Sequence, residues 1–158
     1  MQAHLTVENL CIAAKRGQGD LTAIVKQVSF SLVRGEVLAL IGESGSGKTT
    51  IALALLGYTR AGCQFTAGRV QLGEQDILAL SPAQLARLRG NKVAYVAQSA
   101  AAAFNPARRI MEQVIESALI HGTLNRQQAQ EKAIALFRQL SLPAPETLGN
   151  RYPHEVSG

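Results

Sequence analysis

Apolar and polar residues alternate along the first part of the chain. Leu5-Thr6-Val7-Glu8-Asn9-Leu10 does so, and residues 23–32 do so again through Val28, Phe30 and Leu32. A period of two puts apolar side chains on one face of a sheet, so both segments are expected to be strands. Arg16-Gly17-Gln18-Gly19-Asp20 between them has turn chemistry, and Arg34-Gly35-Glu36 makes the next turn. Val37-Leu38-Ala39-Leu40-Ile41 is a continuous apolar run, the pattern of a parallel strand covered on both faces. After a glycine-rich stretch, residues 50–56 are rich in Ala and Leu and read as a buried helix.

The β pattern returns at Gly68-Arg69-Val70-Gln71-Leu72-Gly73. Ser81-Pro82 is expected to open a short helix, since Ser caps free amides and Pro suits the first helical position. Leu85 and Leu88 give that helix an apolar face. Residues 91–96 are expected to form a further strand, ending at Ala97-Gln98. Beyond the Asn105-Pro106 turn the spacing becomes helical, through Ile110, Val114, Ala118 and Leu119, then through Ala129, Ala133, Leu136, Phe137 and Leu140. Pro143 and Pro145 break the second of these helices. The expected organisation is an α/β part over residues 1–104 and a helical part over residues 105–158, without internal repeats.

Composition narrows the class. Of 158 residues, 47% are hydrophobic and 17% charged, enough to bury a core and too little charge for a disordered chain. The longest apolar runs fall far short of the roughly 18 residues a spanning helix needs, which argues against an integral membrane protein. The first residues show neither the basic nor the apolar region of a secretory signal. Cys11 and Cys63 fit no disulfide framework or metal knuckle, and they read as small buried residues in a reducing cytosol. The net charge is +5, but Lys and Arg are spread from Lys15 to Arg151, and aromatic residues are few. That describes a solvated surface tolerant of anionic ligands, not a nucleic-acid partner.

Gly42-Glu43-Ser44-Gly45-Ser46-Gly47-Lys48-Thr49 carries candidate chemistry. A glycine-rich loop between a strand and a helix lets unpaired backbone N–H groups wrap an oxyanion, because no side chain blocks the approach. The Lys48 charge is aimed at the β- and γ-phosphates of a nucleotide, and the Thr49 hydroxyl is an oxygen ligand for Mg²⁺. This phosphate loop is common to GTPases, small-molecule kinases and motor ATPases, so the loop alone does not name the machine.

The flanking residues narrow the choice. Tyr95-Val96-Ala97-Gln98, closed by Phe104-Asn105-Pro106, resembles the Q-loop of ATP-binding cassette (ABC) proteins. Tyr152-Pro153-His154-Glu155-Val156-Ser157-Gly158 resembles the lead-in and first half of their signature, with Val156 where Leu is usual. Asp76-Ile77-Leu78-Ala79-Leu80-Ser81 and Leu88-Arg89-Gly90 are similar to the oligopeptide/dipeptide importer branch. The resemblance spans nearly the whole chain. It implies an α/β fold: a P-loop NTPase core with an N-terminal antiparallel β region and an incomplete helical subdomain.

It also implies the ligands, ATP and Mg²⁺. By that similarity Gly42, Ser44, Gly45, Ser46, Gly47, Lys48 and Thr49 cradle phosphate, and Thr50 lies close to the α-phosphate. Gln98 and Lys48 take catalytic roles, and Gln98 joins Thr49 at the metal. Ser157 and Gly158 reach the γ-phosphate of a second cassette, in a homo- or heterodimer. Transmembrane permease subunits are the implied partners, with a solute-binding protein acting indirectly. The implied location is the cytoplasmic face of the plasma (inner) membrane. His154, outside these roles, reads as a packing residue, and His4 and His121 as solvated.

Two departures stand against the resemblance. No run of four apolar residues followed by Asp-Glu occurs, and the chain stops inside the signature. The expectation is an N-terminal portion of a longer cassette that does not itself hydrolyse nucleotide. Cys11-Ile12-Ala13-Ala14 also lacks the aromatic on which the family stacks adenine, with Arg16 as a conceivable substitute. Stacking contributes about 1–3 kcal/mol per base, so its loss lowers affinity by tenfold or more. A non-transport ABC ATPase and a nucleotide-binding scaffold without turnover remain the alternatives.

Overall fold

The computed structural model describes residues 3–16, 20–99 and 103–156. Its contacts divide the chain into two compact units, Met1–Arg89 and Gly90–Gly158. Together they make the α/β fold that the patterning implies.

The first unit is built on a four-stranded antiparallel sheet in the order β2-β1-β3-β4. Its strands are β1 (Leu5–Arg16), β2 (Asp20–Leu32), β3 (Cys63–Leu72) and β4 (Gln75–Asp76). Strand β1 is central, pairing with β2 from Leu5↔Leu32 to Arg16↔Asp20 and with β3 from Leu5↔Leu72 to Ala14↔Cys63. Val7, Leu10, Ile12, Val25 and Val70 from these strands are buried, so one face of the sheet is the core of this unit. The same unit holds α1 (Lys48–Ala54), with Ile51 and Ala54 buried, and α2 (Pro82–Leu88), with Leu88 buried. Ser81 caps α2 as its sequence predicts: its Oγ accepts from the Gln84 amide, and Gln84 accepts from the Ser81 amide.

The sheet is bent by bulges near Asn9. Asn9 and Gln27 take left-handed backbone conformations, each at φ 48°. The Asn9 amide donates to Ser29 Oγ at 2.8 Å, and the Gln27 amide donates to Cys11 Sγ at 3.3 Å. Gly68, at φ 95°, faces this irregularity, and a Cβ there would lie 2.5 Å from the Asn9 carbonyl oxygen. Only glycine permits that backbone-to-backbone approach. Cys11 and Cys63 are half-buried and unpaired, not fully buried as their composition suggested.

The second unit is helical. Its elements are α3 (Ile110–Val114), α4 (Glu116–Ile120), α5 (Arg126–Gln139) and α6 (Pro145–Leu148), followed by a 3₁₀ turn at Pro153–Glu155. Asn125 and Gln128 form a reciprocal cap at the start of α5. Ile110, Ile115, Ala129, Ala133, Phe137 and Leu148 make one buried cluster. At its edge, Arg138 donates to Glu146, and this hydrogen bond holds the Glu146 carboxyl below its ordinary range.

Two expected strands are not formed. Residues 37–41 carry no regular secondary structure, residues 91–96 hold only an isolated bridge at Val93, and Val37, Ile41 and Val96 are 92%, 93% and 92% exposed. A parallel strand exists only as part of a ladder, and all four strands among the described residues belong to the antiparallel sheet. The apolar runs are there, but no described strand pairs with them.

Replacing Gly68 with Ala is expected to lower the stability of the chain by more than about 2 kcal/mol in urea unfolding. Gly73→Ala, at φ 59° with open space around it, is expected to cost only about 1 kcal/mol. Equal effects would show that the close approach at Gly68 is unimportant.

Candidate nucleotide site

Residues 42–47 form the turn that opens into α1 in the first unit. The Ser46 amide donates to the Glu43 carbonyl at 3.2 Å, and the Ile51 amide donates to Gly47 at 2.9 Å. The amides of Lys48, Thr49 and Thr50 precede Ile51, the first amide with a helical acceptor, so they are free to meet an outside group. No side chain caps this helix start.

Gly47 is the pivot. It is buried at φ 91°, and a Cβ on it would stand 3.4 Å from Val25 Cγ2 and from the Ile24 carbonyl oxygen. The loop therefore rests directly on β2, and the left-handed turn there aims the following amides outward. Residues 42–46 and Thr49 are exposed and Lys48 is half-buried.

The Lys48 ammonium is folded over its own loop. Nζ donates to the carbonyls of Gly42 at 2.7 Å and Glu43 at 2.6 Å, with Ser46 Oγ at 3.2 Å. A full positive charge and a row of free amides thus share one exposed turn, an arrangement suited to an oxyanion.

The stretch just after α1 is fixed by Arg89, which the sequence offered only as part of a branch motif and not in this role. Arg89 Nε donates to the Leu56 carbonyl at 2.8 Å and its Nη2 donates to the Gly57 carbonyl at 2.9 Å. A cation at a helix C-terminus is stabilising by about 1 kcal/mol or less. An Arg following a short helix is too common a pattern to have flagged this role.

The other candidates belong to the second unit. Gln98 is exposed at the end of the unpaired segment, while Ser157 and Gly158 lie outside the described residues. The Arg16 side chain is likewise outside the description. Ala14 is half-buried in β1, opposite Thr22 and Cys63. His154 stacks on Tyr152, with ring centroids 5.7 Å apart, as a packing residue does. His121 is half-buried, not solvated, and lines a cleft of about 440 Å³ between α4 and α5. Its lining includes the apolar Val114, Ala118 and Leu136 together with Lys132. Among the described residues no His, Cys, Asp and Glu cluster is arranged to hold a metal, and no helix is long and apolar enough to cross a membrane.

The first unit thus carries a phosphate-type loop resting on an antiparallel sheet, and a helical unit follows along the chain. Residues 25–158 match the ABC transporter family, and the chain belongs to it. It is 33% identical over 145 residues to the oligopeptide transport ATP-binding protein OppD of Lactococcus lactis subsp. cremoris, covering 92% of this chain and 43% of that protein. It is 38% identical over 160 residues to the glutathione import ATP-binding protein GsiA of Escherichia coli O157:H7, covering 98% of this chain and 26% of that protein. The chain therefore spans less than half the length of either relative. Among solved structures, the ATP-binding cassette MJ0796, a dimer in a post-hydrolysis state bound to ADP and Pi, matches with a TM-score of 0.81. That match covers 97% of this chain and 63% of the other at 21% identity, and it shows the shared fold.

Because the Lys48 hydrogen bonds are all exposed, Lys48→Met is expected to change unfolding stability by less than about 1 kcal/mol. A larger loss in thermal or urea unfolding would mean that Lys48 holds the loop's fold.

Proposed function

We propose that this chain is the nucleotide-binding part of the ATPase subunit of an importer for peptides or similar small solutes. ATP binding and hydrolysis by the whole protein would be coupled to uptake. The observation that carries the proposal is the 42–49 turn, where the Lys48 ammonium lies over the loop carbonyls beside free helix-start amides, and Gly47 backs the turn against β2. The names of the relatives, oligopeptide transport and glutathione import, support the class of cargo.

In this reading Gly42, Ser44, Gly45, Ser46 and Gly47 present backbone N–H groups to the phosphates of ATP. Lys48 leaves the carbonyls of Gly42 and Glu43 and turns its charge to the β- and γ-phosphates. Thr50 lies at the α-phosphate. The Thr49 hydroxyl is an exposed hard donor of the kind that suits Mg²⁺, and by the family resemblance Gln98 would be another. When bound, the metal would supply charge neutralisation for phosphoryl transfer. Gln98 also orients the attacking water. Ser157 and Gly158 contact the γ-phosphate held by a second cassette. The protein then acts at the cytoplasmic face of a membrane, beside permease subunits. The apolar cleft between α4 and α5 is the surface offered to one of their cytoplasmic loops.

A second reading, a nucleotide-binding scaffold without turnover, draws support from Ala14. Where family members place an aromatic ring, this strand offers a methyl group between Thr22 and Cys63.

Lys48→Ala in the full-length protein is expected to abolish nucleotide-dependent solute uptake into cells or vesicles. Full uptake by that variant would end the transport reading. Ala14→Tyr is expected to tighten ATP binding by about tenfold in a fluorescent-nucleotide titration, and unchanged affinity would mean that adenine is held elsewhere.

A further inference from the structure

The turn after Gln98 and the segment leading into Ser157 are fastened to the same short helix. On one side, the Asn105 amide donates to Gln113 Oε1 at 2.7 Å. Gln113 Nε2 donates back to the carbonyls of Asn105 and Arg108, each at 3.0 Å. Gln113 lies on α3, so the turn at 105–108 is stitched to that helix.

On the other side, the first amides of α3 have no helical acceptor of their own and find one in the later segment. The Ile110 amide donates to the Arg151 carbonyl at 3.0 Å, and the Met111 amide donates to the Gly149 carbonyl at 2.9 Å. Gly149 meets Met111 so closely that a Cβ would lie 2.6 Å from Met111 Cε. Phe104 and Val156, one from each segment, also pack on the same buried cluster.

Arg109 stands between the two. Its Nη1 donates to the Asn150 carbonyl, and its guanidinium lies 5.3 Å from the centroid of the Tyr152 ring. His154 stacks on Tyr152 at an interplanar angle of 12°. A guanidinium can donate from its edge while its face covers a ring, which an ammonium cannot do.

We propose that Arg109 is a positioning residue: through Asn150 and Tyr152 it holds the 149–156 segment that leads to Ser157-Gly158 on the same helix as the turn at 105–108. The proposal rests on the reading of Ser157-Gly158 as the group that meets a second cassette's nucleotide. Arg109 touches no nucleotide in this scheme. Its loss therefore leaves binding at the protein's own loop intact and misplaces the contact made in trans. Displacements of about 1 Å at such a contact lower rates by up to the order of a hundredfold.

The test uses the full-length protein with Arg109→Ala, Arg109→Lys and Tyr152→Phe, and with Arg138→Ala as a control for removing a surface arginine. Fluorescent-nucleotide affinity, ATPase kcat, ATP-dependent dimerisation and Tm are measured for each. For Arg109→Ala the expected result is nucleotide affinity within about twofold of wild type, with kcat and ATP-dependent dimerisation lowered at least tenfold. Arg109→Lys falls with it, whereas Tyr152→Phe, which keeps the ring face, retains turnover, as does the control. Wild-type kcat in Arg109→Ala overturns the proposal. So does a kcat loss matched by equal loss of nucleotide affinity and Tm, which marks a general effect on folding. A wild-type protein that neither binds nor hydrolyses ATP overturns the functional reading, and this proposal with it.

Discussion

A β-strand holds its shape through the hydrogen bonds of its neighbours, and that requirement sorts the segments of this chain. Strand β1 has a partner on each side along nearly its whole length. With ladders on both edges it stays paired through register shifts, a left-handed residue at Asn9 and the close approach of Gly68. Residues 37–41 have a more apolar sequence than β1 and form no strand, because no described segment offers them a ladder. Hydrophobicity selects which residues prefer burial, but pairing decides which become strands.

The turn at 42–47 depends on the same sheet. Gly47 lies against Val25 and the Ile24 carbonyl, so the bend that frees the amides of Lys48, Thr49 and Thr50 is backed by a paired strand. The stretch just after α1 is then held by Arg89 through the carbonyls of Leu56 and Gly57. A loop made of glycine and serine has little rigidity of its own. Here the rigidity comes from the strand beneath it and from the clamped stretch after the helix it starts.

Local signals were legible in the sequence. The alternation at Leu5–Leu10, the cap at Ser81-Pro82, the turn at Asn105-Pro106 and the glycine loop were read from a few adjacent residues, and their chemistry is short-range. The sequence did not disclose relations that join distant positions. Arg89 meets carbonyls more than thirty residues away, and Arg109 meets Asn150 forty-one residues on. An exposed Arg in a sequence with 16 Lys and Arg gives no hint of its partner. The two missing strands were misread for the opposite reason. Their apolar runs are a local signal, and the partner that would make them strands is a non-local one.

Lys48 occupies its own seat. Its ammonium is already satisfied by two carbonyls and a hydroxyl of the turn. An oxyanion entering there must outcompete those acceptors, so the net gain is the difference between two sets of contacts and not the whole of the new one. The reverse trade is equally direct. When the anion leaves, the lysine returns to acceptors within its reach, and no bare charge has to be stranded on the way out. Such an internal competitor favours exchange of a bound anion over its retention.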